Sequence, residues 1–363
     1  MAQMGFQAGK GLGREESGRT EPIQVKQLEE GAGLGYDVNP VNSAVVNTPG
    51  DIRWFERPPS TTPTTLAPFS TAGRCLTHVT NSRFLSLDTL LRLNEAEDHN
   101  TVTKLPDLSE QAKSVHSFYA MSSMGVYDMM DVQMSFVNKL TGVLDRPACI
   151  GVDLSVRGMF TPHLSKRCSK SKTLEEIEAD ELQEEVSQHD LDFVAFDSSS
   201  KSDMLKSLLM LIKHLKPGGN CVFYCNKLQD RFTSSIVYLL TRLFRSTSLI
   251  KTKTCCPHTP DFFVVSKYHQ TSCFNNLDSH LNQCLDSLNT AVESGKDLLE
   301  VLPISYLFEP SFYKFVSCFN EKVSQDAVDT IIDLEKMNHQ KTFPSGKSNK
   351  FIMECIPCLD EAQ

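Results

Sequence analysis

Leu191-Asp192-Phe193-Val194-Ala195-Phe196-Asp197 is a short apolar run that ends in a carboxylate, and the stretch that follows it, to Lys267, decides the fold. Met204, Leu205, Leu208, Leu209, Leu211, Ile212 and Leu215 recur at i, i+3, i+4, i+7 spacing, which marks one apolar face of a helix. Lys216-Pro217-Gly218-Gly219 predicts its stop, because proline and glycine do not continue a helix. A strand-like run over 220–225 comes next, then a helix carrying Phe232, Ile236, Val237, Leu240, Leu243 and Phe244. Phe262-Phe263-Val264-Val265 closes the pattern as a last strand. Strands alternating with helices predict an α/β sheet with crossover connections. Ligands of such sheets sit at the carboxyl ends of the strands, where Asp197 falls.

The chain has 363 residues, 40% hydrophobic and 22% charged, enough to bury a core in one large domain or two smaller ones. A net charge of −9 argues against a general nucleic-acid-binding surface, DNA included, so any RNA contact is a local patch. The 12 cysteines follow no regular spacing, and Cys355-x-x-Cys358 has no matching partner pair, so no metal is expected. No secretory signal and no apolar run of membrane-spanning length occur, which predicts reduced thiols inside the cell and no membrane.

Residues 1–36 have another character. Met4-Gly5-Phe6, Gly11-Leu12-Gly13, Pro22-Ile23 and Gly33-Leu34-Gly35-Tyr36 pair glycines with fixed apolar partners. The bland reading is a flexible glycine-rich tail. The order resembles a G-patch, the short motif of RNA-processing proteins. The resemblance implies folding on a DEAH-box RNA helicase and stimulation of it, with Phe6, Leu12 and Ile23 as anchors. A phosphate-binding loop is excluded, since no apolar strand precedes these glycines and no Gly-Lys-Ser/Thr follows.

Residues 37–73 read as a flexible linker, with the single Trp54, Arg57-Pro58-Pro59-Ser60 and a Thr/Pro-rich run. A folded domain is expected over 74–340, and an irregular tail over 341–363. Within it, Phe84 to Leu93 reads as an amphipathic helix, Ser117 to Val126 as a first strand and turn, and the following Met-rich helix as core filling. Cys149 to Leu154 reads as the second strand. Asp153 at its end either holds a nucleotide ribose or is a strand-end surface acid. Lys166, Arg167, Lys170 and Lys172 precede a purely acidic segment within 174–190. That segment is a solvated insertion or an acidic helix behind a basic, RNA-facing lip.

Taken together, Leu215-Lys216-Pro217-Gly218-Gly219, the run from Phe232 to Leu240, and Asp261-Phe262-Phe263-Val264-Val265-Ser266-Lys267 resemble the cap-1 messenger-RNA ribose methyltransferases. Those enzymes carry a G-patch ahead of an FtsJ/RrmJ-type methyltransferase domain. The resemblance implies a Rossmann-like α/β domain, S-adenosyl-L-methionine as methyl donor, capped mRNA as substrate and the nucleus as location. It implies a Lys–Asp–Lys–Glu tetrad, in which one lysine helps deprotonate the ribose 2′-hydroxyl. By that resemblance the first lysine falls on Lys104 and the aspartate on Asp197. The central lysine falls on Tyr224 and the glutamate on Asp261. A phenol ionises only near ~10, and carboxylates beside it disfavour the phenolate further, so Tyr224 is expected to donate rather than act as a base.

The same enzymes follow their first strand with an acidic residue, a small stretch and Pro-Gly-Gly-Phe. Ser122-Ser123-Met124-Gly125-Val126 stands there, Gly125 alone keeps the pattern, and Phe118 occupies the acid position. Two readings of function follow. One is an active cap ribose 2′-O-methyltransferase. The other, favoured by the altered lysine and donor loop, is a pseudoenzyme that binds RNA or a helicase. A scaffold without RNA is a third.

Overall fold

Asp197 and Tyr224 close two neighbouring strands of one sheet, and the chain order around them explains how. The structure is a computed structural model that describes residues 45–59, 64–68, 84–98, 126–146, 149–155, 157–173, 191–252, 254–255, 259–270, 272, 274–293 and 297–339. The chain divides into two units, Met1–Asn42 and Ser43–Gln363, and the described residues all belong to the second. Its elements run β1 (Val45–Val46), β2 (Phe55–Glu56), α1 (Leu87–Asp98), α2 (Val126–Thr141), β3 (Ile150–Asp153), α3 (Thr161–Arg167), β4 (Lys170–Thr173) and β5 (Leu191–Asp197). After these come α4 (Lys201–His214), β6 (Leu215–Cys225), α5 (Arg231–Leu243), β7 (Phe244–Thr252) and β8 (Phe262–His269). The helices α6 (Leu277–Glu293), α7 (Ile304–Leu307) and α8 (Pro310–His339) end the order.

Local chemistry sets these boundaries. Ser200 caps α4 by accepting the Asp203 N–H at 3.1 Å, and Asp230 caps α5 by accepting the Thr233 N–H at 2.8 Å. The apolar stripe of α4 buries Met204, Leu205, Leu208 and Leu211. The helix stops at Leu215, whose φ of −75° and ψ of 125° are extended. That is earlier than Pro217-Gly218-Gly219, which instead lies inside β6, with Gly218 at a φ of 79° that a side chain would strain.

The sheet order is β1-β7-β8-β6-β5-β3-β4, with β2 paired to β7. β4, β3, β5 and β6 run parallel, and β8 is antiparallel to both β6 and β7. From β3 the chain moves outward to β4 and then returns to build β5 and β6 on the other side. The order therefore reverses between β3 and β5, as in doubly wound α/β folds. Apolar side chains alternate between the two faces. Phe193, Ala195, Val222 and Phe263 join one core with Met134 of α2 and Leu164 of α3. Val194, Phe196, Phe223 and Val264 join the other with α4, α5, α6 and the start of α8. Glu309, just ahead of α8, accepts hydrogen bonds from Arg242 and, at 3.4 Å, from Tyr238.

Several elements differ from the sequence reading. β7 takes in Phe244, read as the end of a helix, and continues over 245–252, for which the sequence predicts no element. β4 takes up Lys170 and Lys172 of the basic run, for which the sequence predicts no strand, while the acidic segment within 174–190 lies outside the described residues. The stretch 37–73 is not all linker. Val45–Val46 and Phe55–Glu56 pair with β7, and Val46 and Leu66 are buried. Trp54 packs on the first core, its ring 5.7 Å from Lys267 Nζ. These short segments lacked the length that periodicity needs, and burial came from long-range pairing instead.

Candidate functional site

One edge of the sheet gathers the polar side chains. Parallel β3, β5 and β6 bring their carboxyl ends there, antiparallel β8 brings its amino end, and β7 its carboxyl end. Asp153 ends β3, Asp197 ends β5, Tyr224 is next to last in β6 and Asp261 precedes β8. Asp197 and Tyr224 are paired in register. Asp197, Tyr224 and Asp261 each lie two positions from a residue of the core under α2 and α3, namely Ala195, Val222 and Phe263. The period of two puts all three on that face.

Three carboxylates here are nearly fully buried: Asp153 at 3%, Asp197 at 4% and Asp261 at 5% exposure. Each is held differently. Asp153 accepts the Ser155 N–H at 2.9 Å, the Ser155 hydroxyl at 2.6 Å, the Phe160 N–H at 2.8 Å and the Thr161 hydroxyl at 2.9 Å. Four donors fill the lone-pair sites of one carboxylate. They shape the loop from Leu154 to Phe160 and fasten the start of α3. Gly158 turns that loop at a φ of 59°, where a Cβ would meet Thr161 Oγ1 at 3.2 Å. The Tyr127 hydroxyl donates to the Arg157 carbonyl at 3.1 Å and ties α2 to the same loop. A ribose hydroxyl would have to displace one of the donors that Asp153 already holds.

Asp197 accepts the Ser199 hydroxyl on Oδ2, while its Oδ1 is buried without a hydrogen-bond partner. Burial pushes its carboxyl above the usual range, the Ser199 hydrogen bonds oppose this, and the charges of Asp153 and Asp203 add to it. Such a group is a stronger proton acceptor than a solvated aspartate.

Asp261 belongs to a chain of three. Tyr224 donates its phenolic hydrogen to Oδ2 at 2.8 Å, and Lys251 Nζ lies 3.7 Å from Oδ1. Lys251, 2% exposed on its side chain, also donates to the carbonyls of Thr259 at 2.6 Å and Asp261 at 3.0 Å. The Thr259 hydroxyl donates to Asp261 as well. Burial raises the Asp261 carboxyl, and Lys251, then Tyr224, pull it down. Lys251 supplies a positive charge that the sequence reading missed, and its signal was a lysine set between Ile250 and Thr252 in a strand-like run.

Of the site residues read from sequence, the edge brings together Asp153, Asp197, Tyr224 and Asp261. Lys104 and Gly125 lie outside the described residues, as do Phe118 and Met124. Lys227 is exposed in the loop after β6, its carbonyl accepting from the Cys225 thiol at 3.2 Å. Among the described residues no cluster of three or more His, Cys, Asp or Glu side chains is arranged to hold a metal.

The fold and its edge define a doubly wound α/β protein with three buried carboxylates at the strand ends beside the point where the strand order reverses. The family model for the G-patch domain matches residues 1–37, so a G-patch domain stands at the N-terminus. Among solved structures, the phosphoethanolamine N-methyltransferase 1 of Haemonchus contortus, in complex with phosphoethanolamine and S-adenosylhomocysteine, matches 57% of this chain at 12% identity, with a TM-score of 0.26. The match spans 56% of that enzyme's own length. No curated protein matches the chain.

Proposed function

We propose that this chain is an RNA-processing protein resembling the cap ribose 2′-O-methyltransferases, in which methyl transfer is weak or lost. It acts by binding RNA and, through its G-patch, a DEAH-box helicase in the nucleus. The observation that carries the reading is the Tyr224–Asp261–Lys251 chain. Methyl transfer to a 2′-hydroxyl needs an acceptor for the hydroxyl proton. At the position that corresponds to the central lysine, Tyr224 presents a phenol whose hydrogen is already given to Asp261. Lys251 does not replace that lysine, because two carbonyls and Asp261 take up its ammonium.

The donor, if S-adenosyl-L-methionine binds, belongs at the switch point between β3 and β5. Asp153, a short stretch and Gly158-Met159-Phe160 follow β3 there, a closer fit to the acid-then-glycine pattern than 122–126. Met159 packs against the core under α2 and α3. The donor would supply the electrophilic methyl group. Of the chain's own residues, Gly158 allows close backbone approach, and Asp153 holds the loop in shape.

A second reading, an active enzyme, is favoured by Asp197. Its unpartnered Oδ1 and raised carboxyl suit a general base at the same edge. Two measurements on the full chain test the main reading. Helicase ATPase stimulation should be present and be lost in Leu12→Glu; equal stimulation by both would remove the G-patch role. Calorimetric titration with S-adenosyl-L-methionine reports the switch-point site, and heat abolished by a bulky substitution at Gly158 assigns the donor there.

A further inference from the structure

We propose that Cys149 and Cys168 form an intrachain disulfide site that closes around the loop at the sheet's switch point. Their sulfur atoms lie 3.8 Å apart, with the Cys168 thiol donating to Cys149 Sγ. Backbone pairing brings their chains side by side. The Ser169 N–H donates to the Cys149 carbonyl at 2.9 Å, and Ile150 then pairs with Lys170 as β3 meets β4. That register sets Cys149 opposite Ser169 and makes Cys168 its diagonal neighbour. Strands roughly 4.8 Å apart with a rise of about 3.3 Å per residue keep such a diagonal pair within the Cα separation a disulfide tolerates. Bond formation needs the sulfurs to approach by about 1.8 Å, to the ~2.05 Å of an S–S bond.

The two cysteines differ in the way such a site requires. Cys168 is half-buried and reachable, and Cys149 is 3% exposed. The hydrogen bond from Cys168 holds the Cys149 thiol below its ordinary value, and nearby Arg146 and Lys216 act in the same direction against burial and Asp192. The same hydrogen bond, with burial, pushes the donating Cys168 thiol well up, so Cys168 needs a proton acceptor, and Cys149 is the one it already faces. The oxidant is a small-molecule disulfide such as oxidised glutathione. Cys168 passes its proton to Cys149 as its sulfur attacks one glutathione sulfur, breaks that S–S bond and releases one glutathione thiolate. Cys149 gives a proton to that thiolate, attacks Cys168 Sγ, forms the protein disulfide and releases the second glutathione, which is protonated in turn. Two protein thiols are oxidised, one external disulfide is reduced to two thiols, and the two protons pass to those thiols.

The bond would link the residue before β3 to the residue after α3. Asp153 fastens the same loop from inside, through Phe160 and Thr161. Oxidation would therefore fix both ends of the segment that carries Gly158.

The test is exchange of the full chain with oxidised glutathione, followed by non-reducing digestion and mass spectrometry. The expected product in wild type is a Cys149–Cys168 cross-linked peptide that has lost two hydrogens, while exposed Cys318 carries only a glutathione adduct. In Cys149→Ser the resolving thiol is gone, so glutathione should remain trapped on Cys168. In Cys168→Ser no cross-link should form and Cys149 should stay unmodified. Glutathione on Cys318 without the Cys149–Cys168 cross-link in wild type would overturn the proposal. So would a cross-link joining either residue to a different cysteine.

Discussion

Tyr224 donates to Asp261 at 2.8 Å, across the antiparallel pair of β6 and β8, and so links the two strands at the edge that carries the buried carboxylates. The Tyr224 ring also lies 5.1 Å from that of Phe263, two residues further along β8. The tyrosine is thus seated as a neighbour of the carboxylate, with its hydroxyl spent on it. A lysine here would carry a second ammonium toward the same acid, which Lys251 already neutralises.

Removing the phenolic hydroxyl tests that relationship. Tyr224→Phe should keep the ring packing and take one donor from a buried carboxylate. The expected cost is about 1–3 kcal/mol in urea unfolding. A change below ~0.5 kcal/mol would show that the hydrogen bond does not stabilise the folded edge.

Lys251→Met should be more damaging, because it leaves Asp261 buried without its counter-charge. Loss of one partner of a buried ion pair costs roughly 3–5 kcal/mol. The loss should shrink on acidification, as Asp261 takes a proton, and be largely recovered in Lys251→Met/Asp261→Asn. Denaturation of the single and double variants across pH decides this, and an equal loss in both would contradict the pairing.

Asp197 predicts a pH dependence of its own. Its carboxyl is raised in the folded protein, so the folded state binds the proton more tightly than the unfolded state. Its contribution to stability therefore falls as pH rises from about 3.9, the unfolded value, through the folded value. Asp197→Asn should be more stable than wild type above that window by about 1 kcal/mol. The gap should close below it. Thermal unfolding of the pair at several pH values measures the crossover.

Gly158→Ala should cost about 1–2 kcal/mol, from the left-handed backbone that a side chain resists. Contact of the new Cβ with Thr161 Oγ1 should add to this and loosen the hydrogen bonds to Asp153. Hydrogen exchange at the Phe160 amide should accelerate. Unchanged protection there would mean that Asp153 holds the loop independently of its turn.

The α/β class and the place of Asp197 were legible because each strand and helix from 191 to 265 carries its own period. β7 was not, because Arg245-Ser246-Thr247-Ser248 offers no apolar alternation, and β8 and β2 supply the pairing that makes it a strand. Tyr224 and Asp261 entered through the resemblance alone, and their juxtaposition comes from the antiparallel pairing of β6 with β8, which the sequence reading did not supply. Lys251 was not found, since its role depends on a side chain reaching past two carbonyls that sequence spacing does not reveal. The four donors on Asp153 were equally invisible, because they arise from the fold of its own loop.

The most direct test of the central claim is transfer of labelled methyl from S-adenosyl-L-methionine to cap-0 RNA by the full chain, with Asp197→Ala beside it. The account predicts transfer at or near background in both proteins, because neither Tyr224 nor Lys251 takes the central lysine's part as proton acceptor. Clear turnover by the wild type that Asp197→Ala abolishes would contradict it and make Asp197 the base of an active enzyme.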